Sequence, residues 1–230
     1  MYTTDVLNQE LEKYCAYMQC TLPLVKHVRG CSIQNANARF IPNEPVADEY
    51  TIELSSSFYD MDVQNQQATL WHEFTHLYDW HFYNIPKEQK YIIMYTYSEA
   101  HATEIQYRKL LALNTTQTIG KEIRFLRNTS KQQYKQTVAE LLLQTKEAFQ
   151  KLQEHKSSDM LTEFIRCLSY YCGCCLLFNS KLQKEYIGTL QCISRKYKSC
   201  ILDYACAIIS RDYNSILAER DKLLNIVMFH

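Results

Sequence analysis

From Val63 to Tyr83 the chain contains no glycine and no proline, and His72-Glu73-Phe74-Thr75-His76 lies in the middle of that run. Val63, Ala68, Leu70, Trp71, Phe74, Leu77 and Tyr78 give it an apolar surface broad enough for a buried helix. Asp60-Met61-Asp62 offers carboxylates to cap its start. Asn84-Ile85-Pro86 ends it, because the residue before a proline is pushed out of the helical region. Whatever this chain folds into must therefore bury a helix that carries an H-E-x-x-H motif.

The motif has a chemical reason for its spacing. On a helix, side chains four residues apart share one face, a turn apart. His72 and His76 can then aim two imidazoles at one ion, and imidazole suits Zn²⁺. Glu73 stands beside that face, where a carboxylate can take a proton from water. A zinc site usually takes a third protein ligand, and a catalytic one keeps a position open. His81 is excluded as part of an H-E-x-x-H-x-x-G-x-x-H pattern, since Asp79 and Phe82 stand where Gly and His would be needed. Glu99, His101 and Glu104 remain, in Ser98-Glu-Ala-His-Ala-Thr-Glu-Ile-Gln106. Ser98 can cap a helix over 98–113, which puts Glu99 in its first turn, far enough from His76 for the chain to turn and run back.

The segment Asp48–Tyr59 alternates at Tyr50, Ile52 and Leu54 and predicts a strand ahead of the motif helix. Ile52-Glu-Leu-Ser55, Gln67-Ala-Thr-Leu-Trp-His-Glu-Phe-Thr-His76 and Glu99-Ala-His-Ala102 together resemble a gluzincin-type metallopeptidase domain, most similar to the ImmA/IrrE family of bacterial and phage-associated enzymes. The resemblance covers residues 30–115. It implies that His72, His76 and Glu99 bind zinc, that Glu73 is the general base, and that the strand near Ile52 is the edge that receives an extended peptide. It also implies a specific protein substrate, such as a repressor-type regulator. One position departs from the pattern. Where many gluzincins carry an aspartate four residues after the glutamate ligand, this chain has Thr103. Because such outer groups orient the ligands, that role must be filled differently or weakened.

Glycine and proline number only 4 each in 230 residues, which predicts a helix-rich chain with short turns. The fold class expected is α+β, mostly α: a zincin-like domain over 1–115 and a helical extension over 116–230, divided at Asn114–Gly120. Helices are expected at 3–20, 63–83, 98–113, 130–155, 158–179, 181–208 and 211–228. Two or three strands are expected within 25–59, interrupted by Asn35-Ala-Asn37, Pro42 and Pro45. On the first helix, Val6, Leu7, Leu11, Tyr14, Cys15 and Met18 form the apolar side.

Formal net charge is zero, so no charged field favours nucleic acid. Neither a secretory leader nor a run of 18 apolar residues is present, which predicts a cytoplasmic protein with no membrane segment. The 10 cysteines are then expected to be reduced. Cys172-Gly173-Cys174-Cys175 suggests a metal knuckle, but no second C-x₂-C follows, and the surrounding residues read as a buried helix. The oxyanion of the hydrolytic reaction needs a donor, for which Tyr83, Tyr91, Tyr95, Tyr97, His81 and His101 are candidates. The rival class is a non-catalytic binding or regulatory module on the zincin scaffold, but such a module has no need of Glu73. A structural zinc site would instead require a closed set of four ligands.

Overall fold

The computed structural model describes residues 2–33, 36–42, 50–83, 86–120 and 128–229. Among these residues helix accounts for 71% and the sheet has three strands, so the coarse class is α+β, mostly α. Asn35, Pro45 and Asn84-Ile85, read above as interruptions, lie outside the described residues. No helix among the described residues is long and apolar enough to cross a membrane. Packing divides the chain into two compact units, one of Met1–Asn84 and Ile105–Gln117, the other of Ile85–Glu104 and Thr118–His230.

The first unit opens with α1 (Thr4–Met18), capped by the Thr3 hydroxyl accepting from the Val6 amide. Leu7, Leu11 and Tyr14 recur at helical spacing and are sealed from solvent, whereas Val6 is 45% exposed and stands off the expected apolar side. Strands β1 (His27–Gly30), β2 (Ala38–Pro42) and β3 (Tyr50–Leu54) follow. Their order in the sheet is β1-β3-β2, with β1 parallel and β2 antiparallel to β3. The strand around Ile52 is therefore the central one, not the edge expected from the resemblance. A central strand has both sides of its backbone paired, and Ile52 and Leu54 are fully buried.

The strand also stops earlier than expected. Ser55 caps a short helix, α2 (Ser56–Tyr59), by accepting from the Phe58 amide. Asp62 then caps α3 (Val63–Phe82) by accepting from the Asn65 amide. Helix α3 is fixed to α1 by aromatic packing. Tyr14 meets Trp71 and Phe74 edge-on at 5.6 and 5.8 Å, and its hydroxyl donates to Thr75 Oγ1 at 3.2 Å. Glu10 is buried on the same face of α1, where it accepts from Trp71 Nε1 at 2.8 Å and from Lys13 at 2.9 Å. Burial raises its pKa, but those two donors together with the charges of Lys109 and Lys13 outweigh burial and leave it below the ordinary value of 4.5.

A helix runs without a break from α4 (Lys87–Ile93) through a π-helical segment (Met94–Ser98) into α5 (Glu99–Leu110), of which the residues up to Glu104 belong to the second unit and those from Ile105 to the first. The sequence gives no sign of α4. Ser98 is not a cap, since it lies within helix and is fully buried. Next come α6 (Asn128–His155) and α7 (Ser158–Leu176), joined by Lys156 in a left-handed conformation and packed as a pair. The expected helix over 181–208 is two helices, α8 (Ser180–Thr189) and α9 (Lys198–Ser210), separated by a 3₁₀ turn at Leu190–Cys192. Finally α10 (Tyr213–Phe229) packs against α9.

Helix α7 is the core of the second unit and contacts α6, α8, α9 and the π segment. Cys172, Cys174 and Cys175 are completely buried in it, which fits the packing role and not an open metal knuckle. All ten cysteines are thiols. Ile119 donates to the Leu177 carbonyl at 2.6 Å and accepts from the Asn179 amide, so the segment read as a linker is tied at its far end to the close of α7.

Candidate metal centre

Helix α3 buries Leu70, Phe74 and Leu77 completely, which fixes its rotation. His72, half-buried, and His76, 7% exposed, then stand one turn apart with ring centres 4.8 Å apart and planes at 80°. The three side chains, buried this fully, contribute about 1.5–3 kcal/mol each, so turning the histidines away from this face would be costly.

Glu73 is 6% exposed, and its Oε2 accepts the Phe40 backbone N–H at 2.7 Å. In the antiparallel pairing Phe40 sits opposite Ile52, and its N–H points away from β3 toward α3. The strand beside the candidate base is thus β2. A hydrogen bond to a carboxylate is stronger than one between neutral groups, so one oxygen of Glu73 is anchored. Its other oxygen, Oε1, makes no hydrogen bond among the described residues.

His72 has a partner on α5. Its Nδ1 lies 3.2 Å from Gln106 Oε1. An amide oxygen only accepts, so this contact is a hydrogen bond in the tautomer that carries the hydrogen on Nδ1, which leaves the Nε2 lone pair for a metal.

Glu99 is the first residue of α5, immediately after the π segment. Such segments are rare and occur often at functional sites. In this one, Thr96 Oγ1 bonds the carbonyls of Ile92 and Ile93 at 2.9 and 3.2 Å. The turn that follows is held by α7. A Cβ added to Gly173 would fall 2.4 Å from the Ala100 carbonyl oxygen and 2.7 Å from Thr103 Cβ. Only glycine allows so close an approach between two helices. Thr103 is therefore occupied in helix packing, and the position where an aspartate was looked for faces α7.

Of the three candidates for a third ligand, Glu99 is the one gathered with the histidines. One donor atom from each of His72, His76 and Glu99 lies within 4.8 Å of the others, and this is the one such group of three or more found among the described residues. Donors around a tetrahedral zinc at about 2.1 Å stand roughly 3.4 Å apart. Two imidazole nitrogens and one carboxylate are a donor set that fits zinc and leaves a position for water.

The alternatives are engaged elsewhere. His101 is buried and stacks on Tyr97 at 5.5 Å, and Tyr97 meets Tyr213. Glu104 pairs with Arg211 at 3.0 Å. His81 is exposed at the end of α3, against Phe82. Burial also argues against Tyr97 and His101 as oxyanion donors, while Tyr91 and Tyr95 are 44% and 56% exposed.

Two contributors escaped the sequence reading. Phe40 acts through its backbone, which leaves no mark in a sequence. Gln106 could have been found, because it lies seven residues after Glu99 and so on the same face of α5, two turns on. No family model, curated protein or solved structure matches this chain.

Proposed function

We propose that this chain is a zinc-dependent, gluzincin-like metallopeptidase that hydrolyses a protein or peptide substrate. The observation that carries the reading is the convergence of His72, His76 and Glu99 beside a buried, anchored Glu73. His72 Nε2, His76 and a Glu99 oxygen would hold the ion. When bound, zinc supplies Lewis acidity and brings the pKa of water down to about 7.

The chain's own residues account for proton handling. Phe40 N–H occupies Oε2 of Glu73, so the proton is managed at Oε1. Oε1 accepts the proton of the attacking water and returns it to the departing amine. The proposed edge for an extended substrate is β2, which borders α3 at Phe40. The finer assignment, an ImmA/IrrE-like cytoplasmic enzyme acting on a repressor-type regulator, rests on the motif resemblance. The fully buried thiols of α7 suit that compartment.

The test is zinc content of the purified protein after incubation with Zn²⁺ and dialysis, for wild type, His76→Ala and Glu73→Gln. About one zinc per chain is expected in wild type and Glu73→Gln, and none in His76→Ala. Glu73→Gln should also lose peptide cleavage by about 10²–10⁴-fold. Cleavage undiminished in that variant would remove Glu73 as base. No zinc in any of the three would replace the enzyme with a binding module on the same scaffold.

A further inference from the structure

Helix α5 offers two polar side chains seven residues apart on one face, Glu99 and Gln106. The first is the proposed third ligand. The second places its Oε1 3.2 Å from His72 Nδ1. Gln106 is half-buried, and its helix is fixed one turn beyond the contact. Lys109, one turn on, reaches Glu10 at 3.3 Å and lies over the Trp71 ring at 4.3 Å. At the next residue, Gln64 Nε2 on α3 donates to the Leu110 carbonyl at 3.0 Å. Gln106 is therefore set against α3 by neighbouring contacts, and its amide is not adrift on a surface.

We propose that Gln106 is the positioning residue of the metal centre: it sets the tautomer and ring orientation of His72, and its neutral amide holds the site at a lower metal affinity than a carboxylate would. The proposal rests on the metal-site reading above. A ligating imidazole commonly donates its second N–H to an outer partner, and a carboxylate partner raises the ligand's basicity. An amide accepts the same hydrogen but adds no negative charge beside the ion. Thr103, turned to Gly173, does not compete for the role. Such a centre would take up and release its metal more readily than a carboxylate-backed one.

Two measurements test this. The first uses metal-stripped full-length protein and ¹⁵N–¹H correlation spectra of the histidine rings, with the His72 signals assigned by His72→Gln. Wild type should show Nδ1 protonated, Gln106→Leu should shift toward the Nε2–H form, and Gln106→Glu should restore Nδ1–H. An unchanged His72 signature in Gln106→Leu would overturn the positioning role. The second is zinc affinity by competition with a chromophoric chelator. Gln106→Leu should lose about 10–100-fold and Gln106→Glu should gain about 10-fold. Affinities within about twofold of wild type in both variants would overturn the charge argument. Thermal melts of each variant identify any loss that reflects unfolding. If wild type binds no zinc, the metal-site reading fails, while the tautomer measurement on stripped protein still decides what Gln106 does to His72.

Discussion

Helices α3 and α7 are both largely buried, and both carry residues that can hold a metal. Helix α3 turns His72 and Glu73 toward polar groups on other elements, namely Gln106 Oε1 and the Phe40 N–H. Helix α7 turns Cys172, Cys174 and Cys175 into its core. Burial pushes the Cys174 thiol up to about 12 and raises those of Cys172 and Cys175 as well, so the thiolates that would bind a metal are disfavoured. Ligand-type residues at suggestive spacing become a site only where other elements supply partners for their charge and hydrogens. Three perturbations probe that contrast.

The largest effect should come from Gly173→Ala. The added methyl meets the Ala100 carbonyl at 2.4 Å, a backbone atom that cannot swing aside. Overpacking costs about 3 kcal/mol here, and the better helix propensity of alanine returns about 1. A net loss near 2 kcal/mol should be seen in denaturant melts. Because Ala100 adjoins Glu99, zinc affinity should fall too. A variant as stable as wild type with unaltered affinity would show that the glycine contact does not position the ligand.

Next is Trp71→Phe, which removes the indole donor from buried Glu10. Loss of one hydrogen bond to a buried carboxylate should cost about 1–3 kcal/mol. The folded-state pKa of Glu10 lies below 4.5, so its stabilisation is complete above 4.5 and is lost as pH falls through the lower folded value. Metal-free wild type should lose stability on acidification through that window. Trp71→Phe, whose Glu10 is less favoured as a carboxylate, should lose less. Parallel pH–stability curves would remove Glu10 from the account of how α1 grips α3.

The smallest effect is expected for Cys172→Ala. Deleting one buried sulfur leaves a small cavity, worth about 1 kcal/mol, and zinc content should not change. A fall in zinc content would put α7 in the same class as α3 and break the contrast.

What could be read in advance follows the same physics. Helices α1, α3, α6 and α7 were legible because each carries an apolar stripe at helical period. The run Tyr91-Ile-Ile-Met-Tyr-Thr-Tyr97 hid α4 and the π segment, since aromatic and β-branched residues favour strands when taken alone. The break between α8 and α9 was equally hidden. Leu190, Ile193, Tyr197 and Ile201 keep helical spacing straight through it and are all buried. Strand order was not legible either, because alternation at Tyr50, Ile52 and Leu54 says which face is buried and not which neighbours lie alongside. At the site, spacing alone identified the motif on α3. Among Glu99, His101 and Glu104, spacing left the choice open and only the resemblance favoured Glu99; its gathering with the histidines joins residues distant in sequence.

The π segment ahead of Glu99 has a consequence for how this site could be altered or lost. A helix that swells to i→i+5 bonding for one turn accommodates a residue more than a regular helix of the same length. Each residue advances an α-helix by about 100° and 1.5 Å. The direction in which Glu99 leaves its helix therefore depends on how many residues stand between Lys87 and Ser98, and not only on which ones. Removing one residue from Met94–Ser98 would let that turn close as regular α-helix and leave Glu99 facing nearly the same way, whereas removing one from the regular turns of α4 would keep every ligand in the sequence yet turn Glu99 by about 100° relative to the start of α4. Substitution scans would miss that sensitivity, and single-residue deletions would expose it.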